Sequence, residues 1–254
     1  MIRFLPKHPD DDLPYVSIYS HAFQGPTGRW YIENSRTTLG EQDPVAIANA
    51  KLWKTGLDSD KEQAKKQKRR LHYVANVLVV SYPANPAIEG QILRFKYGKK
   101  IHEKMMEKAN PTFPDEVPAN PFDPFEGVNF KLRMRQAEGF TNYDTSQWSD
   151  PTPLAKTDEK MLEILNQVKP LKDLVAPSKF KSYDELQKKF DSVMNGEFAS
   201  TKTAEDVADM LASAPVASAK SPGKVVEAPA PKAPAPVADD SDDIEDYFRS
   251  ISEG

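Results

Sequence analysis

A chain of 254 residues, 39% hydrophobic with a mean hydropathy of -0.63, has room for one folded body of about 150–200 residues plus solvated appendages. It contains no cysteine, which excludes disulfides, thiolate nucleophiles and cysteine-held metals, and no apolar run approaches the roughly 20 residues of a membrane helix. The net charge of -4 argues against a polyanion partner only on average. Lys61 to Phe140 holds 15 Lys and Arg against 9 Asp and Glu, and Glu205 to Gly254 holds 4 against 11. A basic middle beside an acidic end suggests a polyanion site with an anionic tail.

In chain order, the first 150 residues read mainly as β. Ile2–Leu5, Tyr15–Phe23, Trp30–Asn34, Tyr73–Tyr82, Gln91–Tyr97 and Val128–Gln136 are rich in β-branched or aromatic residues between Pro, Gly, Asn or Asp. In the last, Val128, Phe130, Leu132 and Met134 alternate with Asn129, Lys131, Arg133 and Arg135. Period two predicts one core face and one cationic face. The acid run Asp10–Asp12, beside Pro9 and Pro14, reads as a solvated turn. Two short helices are expected at Pro44–Trp53, with Val45, Ala48 and Leu52 on one stripe, and at Lys100–Lys108. After Pro153 the spacing turns helical at Lys160–Val168, and Ser182 with Glu185 opens a capping-box helix that Gly196 closes. Thr203–Leu211 is a weaker helix. After Pro177 every proline lies between Pro215 and Pro236, so APAPKAPAPVA reads as an extended, disordered spacer.

The strongest chemical signal is KEQAKKQKRR at Lys61–Arg70, cationic at six of ten positions. It contains Lys68, Arg69 and Arg70 and runs directly into the strand that opens at Tyr73. A second cluster, RFKYGKK, holds Arg94, Phe95, Lys96, Tyr97, Lys99 and Lys100. A third is Lys131, Arg133 and Arg135 followed by Phe140 and Tyr143. Cations neutralise phosphates and release counterions, giving sequence-independent affinity. Aromatic rings stack on unpaired bases, and duplex bases are already stacked, so the combination favours single strands. The OB-fold barrel is a frequent platform for it. No P-loop, H-E-x-x-H or G-x-S-x-G motif is present, and His8, His21, His72 and His102 form no triad or ligand pair, so no enzyme is expected. An RNA-binding OB module, a scaffolding protein acting through the acidic tail, and a nuclease are the competing readings.

Several segments occur in one order that resembles the single-stranded DNA-binding, helix-destabilising proteins of T-even phages and their cyanophage relatives. They are IRFLP at Ile2–Pro6, RWYIEN at Arg29–Asn34, YVANVLVV at Tyr73–Val80, FKYGKKI at Phe95–Ile101, FEGVNFKLRMRQAEGFTNYD at Phe125–Asp144 and FKSYDELQKKFDSVM at Phe180–Met194. The resemblance implies a fold that is mainly β with α: a five-stranded Greek-key OB barrel within residues 1–200. It also implies a subdomain at about 20–70, C-terminal helices at about 157–196, a linker at 201–238 and an acidic tail at 239–254. It places Lys68, Arg69, Arg70, Tyr73, Phe95, Tyr97, Phe140 and Tyr143 against DNA, with Lys99 and Lys100 beside them. Tail residues Asp239, Asp240, Asp242, Asp243, Ile244, Glu245, Asp246 and Phe248 are read as a docking peptide that also competes with DNA for the cations. The implied partners are single-stranded DNA, phage replication and recombination proteins (polymerase, helicase loader, recombinase mediator) and further copies of the chain, in the cytoplasm of an infected bacterium.

The sequence departs from the family in three places. The family's best-known member holds a zinc ion through one His and three Cys; the His position matches His21 here, but the cysteine positions fall on Ser35, Val45 and Ala48. No cofactor is therefore expected, and His21 becomes structural. The family's basic N-terminal arm precedes the first core strand, whereas this chain begins at that strand, which points to truncation or to cooperativity built in another way. Val74 stands where the family's best-known member has an aromatic.

Overall fold

The apolar run YVANVLVV forms the middle of the fold. The structure is a computed structural model that describes residues 1–137 and 140–195, with side chains at 137–141 outside the description. β4 (Arg70–Val79) carries β5 (Ile92–Gly98) along one edge, from His72 opposite Gly98 to Leu78 opposite Ile92. Its other edge is shared in tandem. β2 (Tyr15–Gln24) pairs with Arg70 to Ala75, and β1 (Ile2–Phe4) pairs with Val77 to Val79. β3 (Trp30–Asn34) extends the sheet beyond β2; β6 (Val128–Lys131) and β9 (Gln147–Pro151) extend it beyond β1. Every pairing is antiparallel, so the chain is mixed α/β around a mostly antiparallel sheet.

The sheet curls around Phe4. Rings from β5 (Phe95, Tyr97), β6 (Phe130) and β9 (Trp148) all lie within 5.8–6.3 Å of its centroid, which strands so far apart in a flat sheet could not do. Helix α3 (Lys99–Ala109) closes this core with Ile101 and Met105. A second core lies at the other end of β2. Phe23 and Tyr31 meet Val45 of α1 (Pro44–Lys54) and Leu186, Phe190 and Val193 of α5 (Tyr183–Asn195). Gly25 is required there, because a Cβ would sit 2.4 Å from the Val193 carbonyl oxygen. Lys181 and Lys189 both reach Glu33 Oε1 at 2.6 Å and tie α5 to β3. Helix α5 thus completes the second core.

Three sequence expectations are corrected. The single strand Val128–Gln136 breaks after Lys131, because Ser146 Oγ takes the Arg133 amide at 3.0 Å and donates to the Arg133 carbonyl. The chain then turns into a separate hairpin of β7 (Arg135–Ala137) and β8 (Phe140–Asn142), and Met134 is exposed rather than buried. The basic run is also no plain lead-in to β4. Its first part is α2 (Asp58–Gln67), which buries Ala64 and Gln67. Asp11 is not solvated. It is 4% exposed and accepts the amides of Leu171 and Lys172 at 2.9–3.0 Å, stapling the segment after α4 (Asp158–Leu165) to the N-terminal turn. The Thr203–Leu211 helix, the Gly196 cap, the linker and the tail lie outside the described residues.

Candidate nucleic-acid interface

Because β2 runs from one core into the other, its inward face has an uncovered middle. Tyr15 packs in the core around Phe4, while Phe23 belongs to the second core and buried His21 lies beside it. Between them Ser17 is exposed and Tyr19 half-buried. Cross-strand partners share a face, so Tyr73 opposite Ser17 and Leu71 opposite Tyr19 complete this open strip. From Tyr15 to His21 the strand advances about 20 Å, between half-buried Tyr15 and fully buried His21. The result is a candidate cleft floored by Ser17, Tyr19, Leu71 and Tyr73.

Cations flank it. Lys68 caps α2, and the Arg69 guanidinium lies 3.9 Å over the Tyr19 ring, a cation–π contact. On the other side α3 begins with Lys99 and Lys100. Lys99 is close enough to act on the Tyr73 hydroxyl, although burial, with Tyr15 and Tyr19, dominates and raises that pKa. Lys100 lies 3.9 Å from Asp144 at the foot of the β7–β8 hairpin. The Asp144 carboxyl is held below its usual range by Asn142, then by Lys100, Lys104 and Arg135, so those cations share one rim. Tyr143 packs on the Phe4 core beside them.

Other sequence-chosen residues lie elsewhere. Tyr97 is 4% exposed, with the Tyr73 and Phe95 rings beside it at 5.6 and 5.7 Å in nearly parallel planes. It is a core residue and not the DNA-facing ring that the resemblance implies. Phe95 is half-buried on the same face. Arg70, Arg94 and Lys96 alternate onto the opposite face of the sheet. There Arg94 donates to the Pro170 carbonyl at 2.9 Å, and Asn76 to that of Lys169 at 2.8 Å. Burial on that back face lowers the Lys96 pKa. It also depresses His72 to about 4, with Lys96 adding to the effect. Lys131 and Arg133 are exposed on the outer side of β6 and beyond it. β8 sets Phe140 opposite Ala137, but its side chain is outside the description. Sequence reasoning did not single out Tyr19. The odd positions of Tyr15–Phe23 point to Tyr19, but only the fold shows that its surroundings are open.

The zinc position does not fit a metal. Ser35, Val45 and His21 are fully buried. His21 Nδ1 is 2.9 Å from the Gln67 carbonyl and Nε2 is 3.3 Å from Asp43 Oδ1, so both nitrogens face acceptors. Asp43 also accepts the Val45 and Ala46 amides at 3.0 and 3.1 Å, capping α1. Burial pushes its carboxyl up, but His21, the Ala46 amide and Ser35 outweigh that and hold it below the carboxylate range. Among the described residues no three His, Cys, Asp or Glu side chains converge. Zinc needs about four such ligands.

Residues 1–194 match the family model described as gp32 DNA binding protein like. The chain is 34% identical over 220 residues to the single-stranded DNA-binding protein of Enterobacteria phage T2, covering 83% of this chain and 72% of the relative. It is equally similar to that of Enterobacteria phage T4, with 83% and 73% covered. A shorter match, 42% over 47 residues, covers 18% of this chain and 41% of the single-stranded DNA-binding protein of Escherichia phage SV14.

Proposed function

Since the chain belongs to the gp32-like DNA-binding family, we propose that it binds single-stranded DNA without catalysis, laying the strand across the open face between its two cores. One observation carries this reading: the middle of β2 and β4, where Ser17 is exposed and Tyr19 and Tyr73 are half-buried, lies between the cations of Lys68–Arg69 and Lys99–Lys100. Phosphates meet Lys and Arg, and unpaired bases meet rings. A duplex offers no free base faces. By trapping transiently opened strands the protein lowers duplex stability through mass action, which suits phage DNA replication, recombination and repair. Lys68, Arg69, Lys99, Lys100, Arg135, Tyr19, Tyr73 and Tyr143 are the proposed contacts. Arg70, Arg94 and Lys96, on the back face, are left out.

We further read the barrel as an OB-fold, because a curled antiparallel sheet closed by one helix is its usual plan. The subdomain folds without zinc, the His21–Asp43 pair standing where the metal would bind. The acidic tail docks replication proteins and competes for the cleft. Among the described residues no helix is long and apolar enough to cross a membrane, in keeping with action in the host cytoplasm. The test is a titration of labelled oligo(dT) against duplex DNA and RNA of equal length. Tight binding to oligo(dT) with weak duplex binding is expected. A preference for RNA or for duplex would refute the reading.

A further inference from the structure

The barrel core reaches the cleft at Tyr73, and there a side chain from another element covers it. His102, in the first turn of α3, lies flat on Tyr73 with centroids 3.8 Å apart and planes 7° apart. Tyr97 is 5.6 Å from Tyr73 and 6.4 Å from His102, too close to His102 for a three-ring column. Tyr97 therefore lies alongside Tyr73 within the core, and His102 lies over Tyr73. Tyr15 braces the imidazole edge-on at 4.8 Å and 74°. The ring is held by its neighbours, and it remains half-buried rather than enclosed.

Packing alone gives no reason for histidine here. Nδ1 is buried without a hydrogen-bond partner, a cost that a phenyl ring in the same place would avoid. We infer that His102 is a base-stacking residue, the outermost ring of the cleft, which offers its outer face to an unpaired base. Burial lowers its pKa, with Glu103 pulling the other way, so near neutrality the ring is flat and uncharged and accepts any base. Lys99 and Lys100, on the same turn of α3, stand beside it for the flanking phosphates. The inference rests on the reading of the cleft as the strand site.

The test uses the full chain and labelled oligo(dT), with His102→Ala, His102→Phe and, as a probe of the cleft itself, Lys100→Ala. His102→Ala should weaken binding by about 5- to 150-fold, the range of one lost stacking partner, at unchanged salt dependence. His102→Phe should restore near wild-type affinity. In the wild type, the His102 ring proton resonances should move upfield when the oligonucleotide binds. That last readout also decides the matter if the alanine variant does not fold. Unchanged or tighter binding by His102→Ala, or ring resonances that do not move, overturns the inference. If Lys100→Ala still lowers the salt dependence, the cleft reading survives that failure; if Lys100→Ala is also silent, both fall.

Discussion

Replacing Asp43 by alanine is expected to cost the subdomain about 3–4 kcal/mol. The carboxylate caps α1 through two amides, and losing such a cap costs about 1 kcal/mol. It also faces the fully buried His21 and accepts the Arg36 amide at 3.2 Å. Stranding buried polar partners of this kind costs on the order of 1–3 kcal/mol, more where a charge is left uncompensated. Against a total stability of roughly 5–15 kcal/mol, the variant should unfold at clearly lower urea. Asp43→Asn, which keeps an N-cap, should lose less. Because the folded-state pKa of Asp43 is depressed, its contribution is complete above the ordinary carboxylate value and disappears as pH falls through the lowered one. The gap between wild type and Asp43→Asn should therefore close in acid. Urea unfolding followed by intrinsic fluorescence, with and without EDTA, measures all of this. A loss under about 1 kcal/mol for Asp43→Ala, or a wild type that EDTA destabilises, would refute the idea that this pair does the work of a metal.

His72 gives a second pH signature. Its folded value near 4 lies below its ordinary 6.5, so the unfolded chain takes up the proton first, and stability falls between about pH 6.5 and 4. The loss is about 2 kcal/mol after allowance for partial exposure; thermal unfolding of His72→Gln should lack that component, and an identical pH profile would contradict the assignment. Tyr19→Ala should weaken oligo(dT) binding by about 5-fold or more with little change in salt dependence, whereas unaltered affinity would remove Tyr19 from the site. Deleting Asp239–Gly254, which carries the acids from Asp239 to Asp246, should tighten single-strand binding at low salt, and unchanged or weaker binding would refute competition by the tail.

Much of the sheet was legible because alternation survives in short segments. Trp30–Asn34 forms as predicted, and the strands at Ile2, Tyr15 and Gln91 shift by a residue or so. The same alternation, applied within RFKYG, already separates Arg94 and Lys96 from Phe95 and Tyr97. Reading the segment as one cluster hid that the cations and the rings point to opposite faces. Helix α2 was obscured because its charges mask the two positions it buries, Ala64 and Gln67. Long-range partners were beyond reach. Nothing near Arg133 in sequence says that Ser146 will end its strand, nor does anything near Asp11 announce the amides of Leu171 and Lys172. The cleft itself arises because one strand serves two cores, a property of the assembled sheet.

The most direct test compares the salt dependence of oligo(dT) binding for charges removed from the two faces of the sheet. If four to six phosphates are neutralised, log affinity against log salt has a slope of about -3 to -4. Lys100→Ala with Arg135→Ala should flatten it by about 1.4, while Arg94→Ala with Lys96→Ala should leave it unchanged. A slope altered by the back-face pair and untouched by the cleft pair would place the strand on the wrong side of β4 and β5 and contradict the account.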